Sequence, residues 1–323
     1  MASLSPSPST PGPDPYDEDA LFLLLELLSA RGYSFVTPTP ATHARVLYRL
    51  PSQARDIRDV LGWSLPFTDG LLDSALLEIL EKAGALEQLP DGRRRSRYRI
   101  SSLGGDLYLH SAYPTLAEDS VFFGPDSYRF ADLIARELRS EPVPAGGHVV
   151  DIGAGAGVGA ITAAHLSDDA RVTMTDINPV ALRLAAINAR AAGVSATFVQ
   201  AADLARVAVP IDVALANPPY IVDSAGRDYR DGGGMYGGQV ALDMTREALG
   251  RLARGGRMIL YTGSAIVRGE DRLRAALSEV AVRAGCHMDY REIDPDIFGE
   301  ELDAPAYRDV ERIAVVGAVF HHI

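Results

Sequence analysis

Residues 148–161 read HVVDIGAGAGVGAI. The first five, His148 to Ile152, are mostly β-branched and apolar on both alternating faces, the pattern of a strand buried on two sides. Gly153, Gly155 and Gly157 follow with only Ala154 and Ala156 between them, and an apolar helical pattern starts at Val158. Strand, glycine turn and helix N-terminus in that order leave backbone N–H groups unpaired and give a ligand room to approach them. A turn of this kind is either a binding cradle or simply crowded, and the residues around it decide between the two.

Acidic residues stand at the ends of three successive strand candidates. Asp151 lies two positions before the first glycine, Asp176 ends the next candidate in VTMTDINPVAL and is followed by Ile177, and Asp203 ends the third in VQAADLARV. In a parallel sheet the carboxyl ends of the strands share one edge, where open α/β sheets bind ligands. The remaining pattern supplies that sheet. Strand candidates at 148–152, 171–176, 196–201, 212–216, 257–261, 287–293 and 312–320 alternate with helical patterns near 160–166, 180–192, 240–253 and 270–284. The spacing predicts a seven-stranded, doubly wound α/β fold. Its last two strands are joined only by a loop, which suits an edge hairpin.

The fourth candidate runs into DVALANPPYIVDS, residues 212–224. Asn217 and the carbonyl of Pro218 offer two hydrogen-bond acceptors on a backbone that two prolines stiffen. An amide or aryl amine nitrogen is a poor nucleophile because its lone pair is delocalised. Two acceptors that hold both of its hydrogens favour pyramidalisation, and Tyr220 can stack on a flat group. In sequence terms alone the same four residues are also a turn initiator and a packed aromatic.

Over roughly 120–323 the chain resembles the class I S-adenosylmethionine-dependent methyltransferases, with VDIGAGAG, TDINPVAL and NPPY in that family's order and spacing. The resemblance implies a Rossmann-like sheet and S-adenosyl-L-methionine as cofactor. Asp151, Gly153, Ala154, Gly155 and Gly157 would face its methionine end, Asp176 and Ile177 the ribose, and Asp203 the adenine amine. Asn217, Pro218, Pro219 and Tyr220 would form the catalytic clamp, with Asn217 also next to the cofactor. NAD is the alternative ligand for the glycine turn, but no residue suggests a nicotinamide pocket. Within the family the motif marks enzymes that methylate planar nitrogens. NPPYI is similar to the enzyme that methylates a glutamine of peptide-chain release factors, although the chain departs from it at VDSAGRDYRDGGGMYGG. Ribosomal-RNA guanine and adenine methyltransferases share the motif too.

Upstream, residues 1–15 are Ser- and Pro-rich and predict a disordered tail. Residues 16–115 read as helices over 20–30, 41–50, 53–61 and 71–83. A hairpin then turns at Asp91-Gly92, and the order resembles a smaller, winged-helix-like domain that serves dimerisation or substrate enclosure. Its arginine run 93–99, RRRSRYR, is a candidate RNA contact, although a net charge of −12 on 323 residues argues against a phosphate-binding surface. The expected acceptor is a small molecule or a protein side chain, with ribosomal RNA as the alternative. A nucleic-acid-binding regulator that only senses the cofactor is the reading from another class. Phe123, Asp126, Ser127, Tyr128 and Tyr229 are candidate substrate contacts, and Glu300 and Glu301 could pair a cationic acceptor. The His, Asp and Glu residues show no metal-ligand spacing. The single cysteine, Cys286, fits a reducing cytoplasm, and no apolar run is long enough to span a membrane.

Overall fold

A computed structural model of the chain describes residues 17–49, 52–223, 227 and 229–323. The tail expected over residues 1–15 lies outside the described residues. The N-terminal region contains α1 (Glu18–Ala30), α2 (Pro40–Arg49), α3 (Ile57–Leu61) and α4 (Ser74–Lys82). Two hairpins follow, β1 (Leu86–Gln88) with β2 (Arg94–Ser96) and β3 (Tyr98–Leu103) with β4 (Asp106–Ser111). Carboxylates cap three of these helices: Asp17, Asp56 and Asp73 each accept a backbone N–H of the first turn. The helix expected over 53–61 is shorter, because the N–H of Ala54 pairs with the carbonyl of Pro66 rather than within a helix. The second hairpin was not expected. Its turn is Gly104-Gly105, both at positive φ, and its register sets Leu103 against Asp106.

The rest of the chain adds α5 (Pro125–Ser140), β5 (His148–Ile152), α6 (Val158–Ala164), β6 (Arg171–Asp176), α7 (Pro179–Ala191), β7 (Thr197–Gln200) and β8 (Ile211–Ala216). It ends with α8 (Gln239–Leu249), β9 (Leu252–Val267), the two-residue β10 (Glu270–Asp271), α9 (Arg272–Arg283), β11 (Cys286–Asp294) and β12 (Arg312–His322). The main sheet runs β11-β12-β9-β8-β5-β6-β7, with β10 paired to β9 off that path. Five neighbouring strands, from β9 to β7, are parallel, and β12 is antiparallel to both β9 and β11. This is the doubly wound α/β sheet that the alternation predicted and the Rossmann-like sheet that the resemblance implied.

Side chains alternate across the sheet as strand geometry requires. Val149, Val213, Leu215 and Ile259 pack with α5 on one face. Val150, Ala214, Met258 and Leu260 pack with α8 and α9 on the other. The apolar faces of α6 and α7 belong to a third cluster that also contains α1, α4 and the second hairpin. The N-terminal region therefore shares its core with the sheet.

Candidate active site

The strand order reverses beside β5, and the carboxyl ends of β5, β6, β7 and β8 open onto a cavity of about 820 Å³. Its floor is the glycine turn. Gly153, Gly155 and Gly157 have φ of 67°, 54° and 83°, in the left-handed region that only glycine enters freely. A Cβ at Gly155 would point into open space, whereas one at Gly157 would press on Ala185 and Met174. Gly157 is thus a packing glycine under α6 and does not line the cavity, whereas Gly153, Ala154 and Gly155 do.

Asp151 lines the cavity with only 1% of its surface exposed, and one of its oxygens accepts the N–H of Ala160 at 2.8 Å. Burial pushes its carboxyl up to about 7, the Ala160 hydrogen bond pulls the other way, and the nearby Asp176 adds to the rise. Asp176 accepts the N–H of Gly155 and of Asn178, both at 2.9 Å, and so ties the second strand end to the glycine turn. Its carboxyl is also raised by burial. Ile177 is half exposed at the rim, and Asp203 is exposed and accepts the N–H of Ala205. All four residues line the cavity, and among the described residues no Lys or Arg does. Glu118, Asp119, Met244 and Glu247 line it as well, and the sequence reading missed them. They come from the linker and from α8, and their only signal is tertiary.

Asn217 and Pro219 line the same cavity, while Pro218 is buried behind them. No described residue shares a hydrogen bond with the Asn217 side chain. Tyr220 corrects an expectation. It does not line the cavity, its ring is buried against Gly263, and its hydroxyl donates to Asp126 at 2.8 Å. In this position it cannot stack on an acceptor. The glycines after the motif serve its backbone: a Cβ at Gly237 would fall 2.2 Å from the Tyr220 carbonyl oxygen, and one at Gly232 would strike Gly237. Gly232 and Gly237 are therefore packed against the motif, with Gly232 donating to the Ile221 carbonyl at 2.8 Å.

The other substrate candidates divide. Ser127 and Tyr229 line the cavity, and the Tyr229 hydroxyl donates to the Thr115 carbonyl at 2.8 Å. Phe123 does not line it; its ring stacks on His110 at 5.0 Å and meets Tyr128 edge-on. Asp126 and Tyr128 are likewise outside the lining, and the Tyr128 hydroxyl accepts the Thr37 N–H. Glu300 and Glu301 are not at the cavity either. Glu301 forms an ion pair with Arg230, which together with Arg227 also pairs Asp223. That pairing holds the Asp223 carboxyl down to about 2.

In the arginine run, Arg93 pairs with Asp91, Arg94 with Asp69 and Glu81, and Arg95 with Glu87. Their charge is largely answered within the hairpin and its neighbouring helix. Among the described residues no group of three or more His, Cys, Asp or Glu could hold a metal ion, and no helix is long and apolar enough to cross a membrane.

The arrangement suits a ligand that carries positive charge and hydrogen-bond donors. It offers carboxylates at three depths along a glycine cradle and, among the described residues, no competing cation. Comparisons with known proteins point to methyltransferases. The family described as "Methyltransferase small domain" matches residues 127–286. A release factor glutamine methyltransferase of Moorella thermoacetica is 34% identical over 78% of this chain and 90% of its own length. One of Deinococcus radiodurans is 29% identical over 67% of this chain and 77% of its own. Among solved structures, a ribosomal protein L11 methylase from Lactobacillus delbrueckii subsp. bulgaricus is 16% identical with a TM-score of 0.43. That alignment covers 66% of this chain and 91% of the other.

Proposed function

This chain belongs to the S-adenosylmethionine-dependent N-methyltransferases of the release factor glutamine methyltransferase family, and from that premise we propose that its acceptor is the side-chain amide of a protein glutamine. The observation that carries the proposal is Asn217: an amide side chain with no hydrogen-bond partner among the described residues, on a proline-fixed turn at the wall of the cofactor cavity.

Asp151 would hold the cofactor's ammonium, Asp176 its ribose hydroxyls and Asp203 its adenine end, with the Gly153–Gly155 backbone beneath. When bound, S-adenosylmethionine supplies an electrophilic methyl group on a sulfonium. The side-chain oxygen of Asn217 and the backbone oxygen of Pro218 each accept one hydrogen of the acceptor NH2. Both hydrogens are then held on one side and the nitrogen lone pair is directed to the other. Since the clamp is built before the acceptor arrives, little reorganisation is needed at the moment of transfer. The nitrogen gains a methyl group and releases one of its two protons to solvent. No strong base is required, because the thioether left behind is neutral.

Tritiated S-adenosylmethionine tests it with two acceptors, an unmodified bacterial release factor and total RNA. Label in the release factor, lost with Asn217→Ala while cofactor affinity stays within about twofold, is the expected result. Label in RNA alone would replace the acceptor.

A further inference from the structure

The clamp is anchored from behind by residues that do not touch the cavity. Asp126, in the first turn of α5, is 3% exposed, and its two carboxylate oxygens accept the hydroxyls of Tyr220 and Tyr261 at 2.8 and 2.7 Å. Arg129 lies 3.6 Å from one of those oxygens and pairs with Asp294 at 3.0 Å. A carboxylate taken out of water is tolerated only where hydrogen bonds and charge answer it. Both tyrosine hydroxyls are therefore committed to Asp126. On the other side of the Tyr220 ring stands Gly263, where a Cβ would come within 2.2 Å of the ring. Tyr261 and Gly263 are two residues apart on β9, so they face the same way. The ring is held between a strand with no side chain at that point and a buried carboxylate.

This matters for the turn. At one end Asn217 follows Ala216, which is fixed by its parallel pairing to Leu260 of β9. At the other end Tyr220 follows Pro219 directly. The segment between the two fixed ends carries both acceptor oxygens of the clamp.

We propose that Asp126 is a positioning residue for methyl transfer: through the Tyr220 hydroxyl it holds the Asn217-Pro218-Pro219 turn at its place in the cavity wall. The proposal rests on the reading of Asn217 as the acceptor clamp. It also gives Tyr220 a task other than stacking, namely to be the bolt between clamp and scaffold.

The test uses the full chain with tritiated S-adenosylmethionine and, as acceptor, an extract of the cells it comes from, so that it does not depend on the acceptor's identity. Asp126→Asn, Tyr220→Phe, the double variant and Asn217→Ala are compared by initial rate at saturating extract and by cofactor affinity. Tyr220→Phe keeps the ring and its packing, so a folded variant is available even where Asp126→Asn is unstable. Each of these two substitutions is expected to slow transfer by roughly 10- to 100-fold, the scale of a small misplacement of reacting groups. Cofactor affinity should stay within about twofold. If Asp126 acts through Tyr220, the double variant is no slower than the slower single one. Tyr220→Phe at full rate, losses that multiply in the double variant, or lower stability with an unchanged rate would each overturn the proposal. Full rate with Asn217→Ala would instead overturn the clamp reading, and the proposal with it.

Discussion

Asp151 shows at the residue scale how burial tunes a carboxylate at the cavity wall. Its folded value of about 7 stands above an ordinary 3.8 because burial disfavours the charge. A folded state that holds the proton more tightly than the unfolded one gains stability at low pH. That contribution is full below about pH 4 and is lost as pH rises through about 7. A cationic ammonium placed against Asp151 favours the ionised form, so cofactor binding near and below pH 7 should release a proton. Calorimetry in buffers of different ionisation enthalpy reads this release, and Asp151→Asn should abolish it and weaken binding. The place of Asp151 at the cavity was legible because three acids at three strand ends form a pattern within one stretch of chain. The direction of the Tyr220 side chain was not. It is set by Asp126, 94 positions away, and by Gly263 on another strand.

Elements are joined to the site by Asn188 on α7. Its side-chain oxygen accepts the Leu109 N–H at 2.8 Å, and its amide donates to the carbonyls of Leu109 and Ala156 at 3.0 and 2.9 Å. One buried amide thus acts as a strand partner for β4 and steadies the glycine turn. Asn188→Leu would leave three buried backbone groups unpaired, at about 1–3 kcal/mol each before any relaxation. We expect a loss of at least about 3 kcal/mol in urea unfolding, accompanied by weaker cofactor binding. An unchanged midpoint would mean that β4 and the turn find other partners. The sequence shows an asparagine inside a helical pattern and nothing of this connection. The second hairpin itself had a readable signal in Gly104-Gly105. Strand β9 extends well beyond 257–261 because β12 pairs with it from Ile266 down to Arg257, a length that only the partner specifies.

At the scale of the whole molecule, the core of the N-terminal region continues into α7 without a break. Leu21, Leu24 and Leu28 of α1 belong to the same buried cluster as Leu184 and Ile187. A fragment of residues 116–323 should expose that face of α7, lose cooperative unfolding and bind an apolar dye, although it carries every residue proposed to touch the cofactor. A cooperative, dye-free fragment would show two separable units. What the sequence by itself determined is the part governed by local periodicity and local chemistry. That part comprises the alternating strands and helices, the glycine turn, the acids at the strand ends and the proline-fixed turn after β8, because each is set by residues within a few positions of one another. Only the tertiary structure decided that Tyr220 faces away from the cavity, that Glu301 and Arg93, Arg94 and Arg95 spend their charge on internal partners, and that the N-terminal helices share a core with the sheet. Those outcomes depend on which distant groups can satisfy a buried charge or fill an apolar face, and chain order does not encode that proximity.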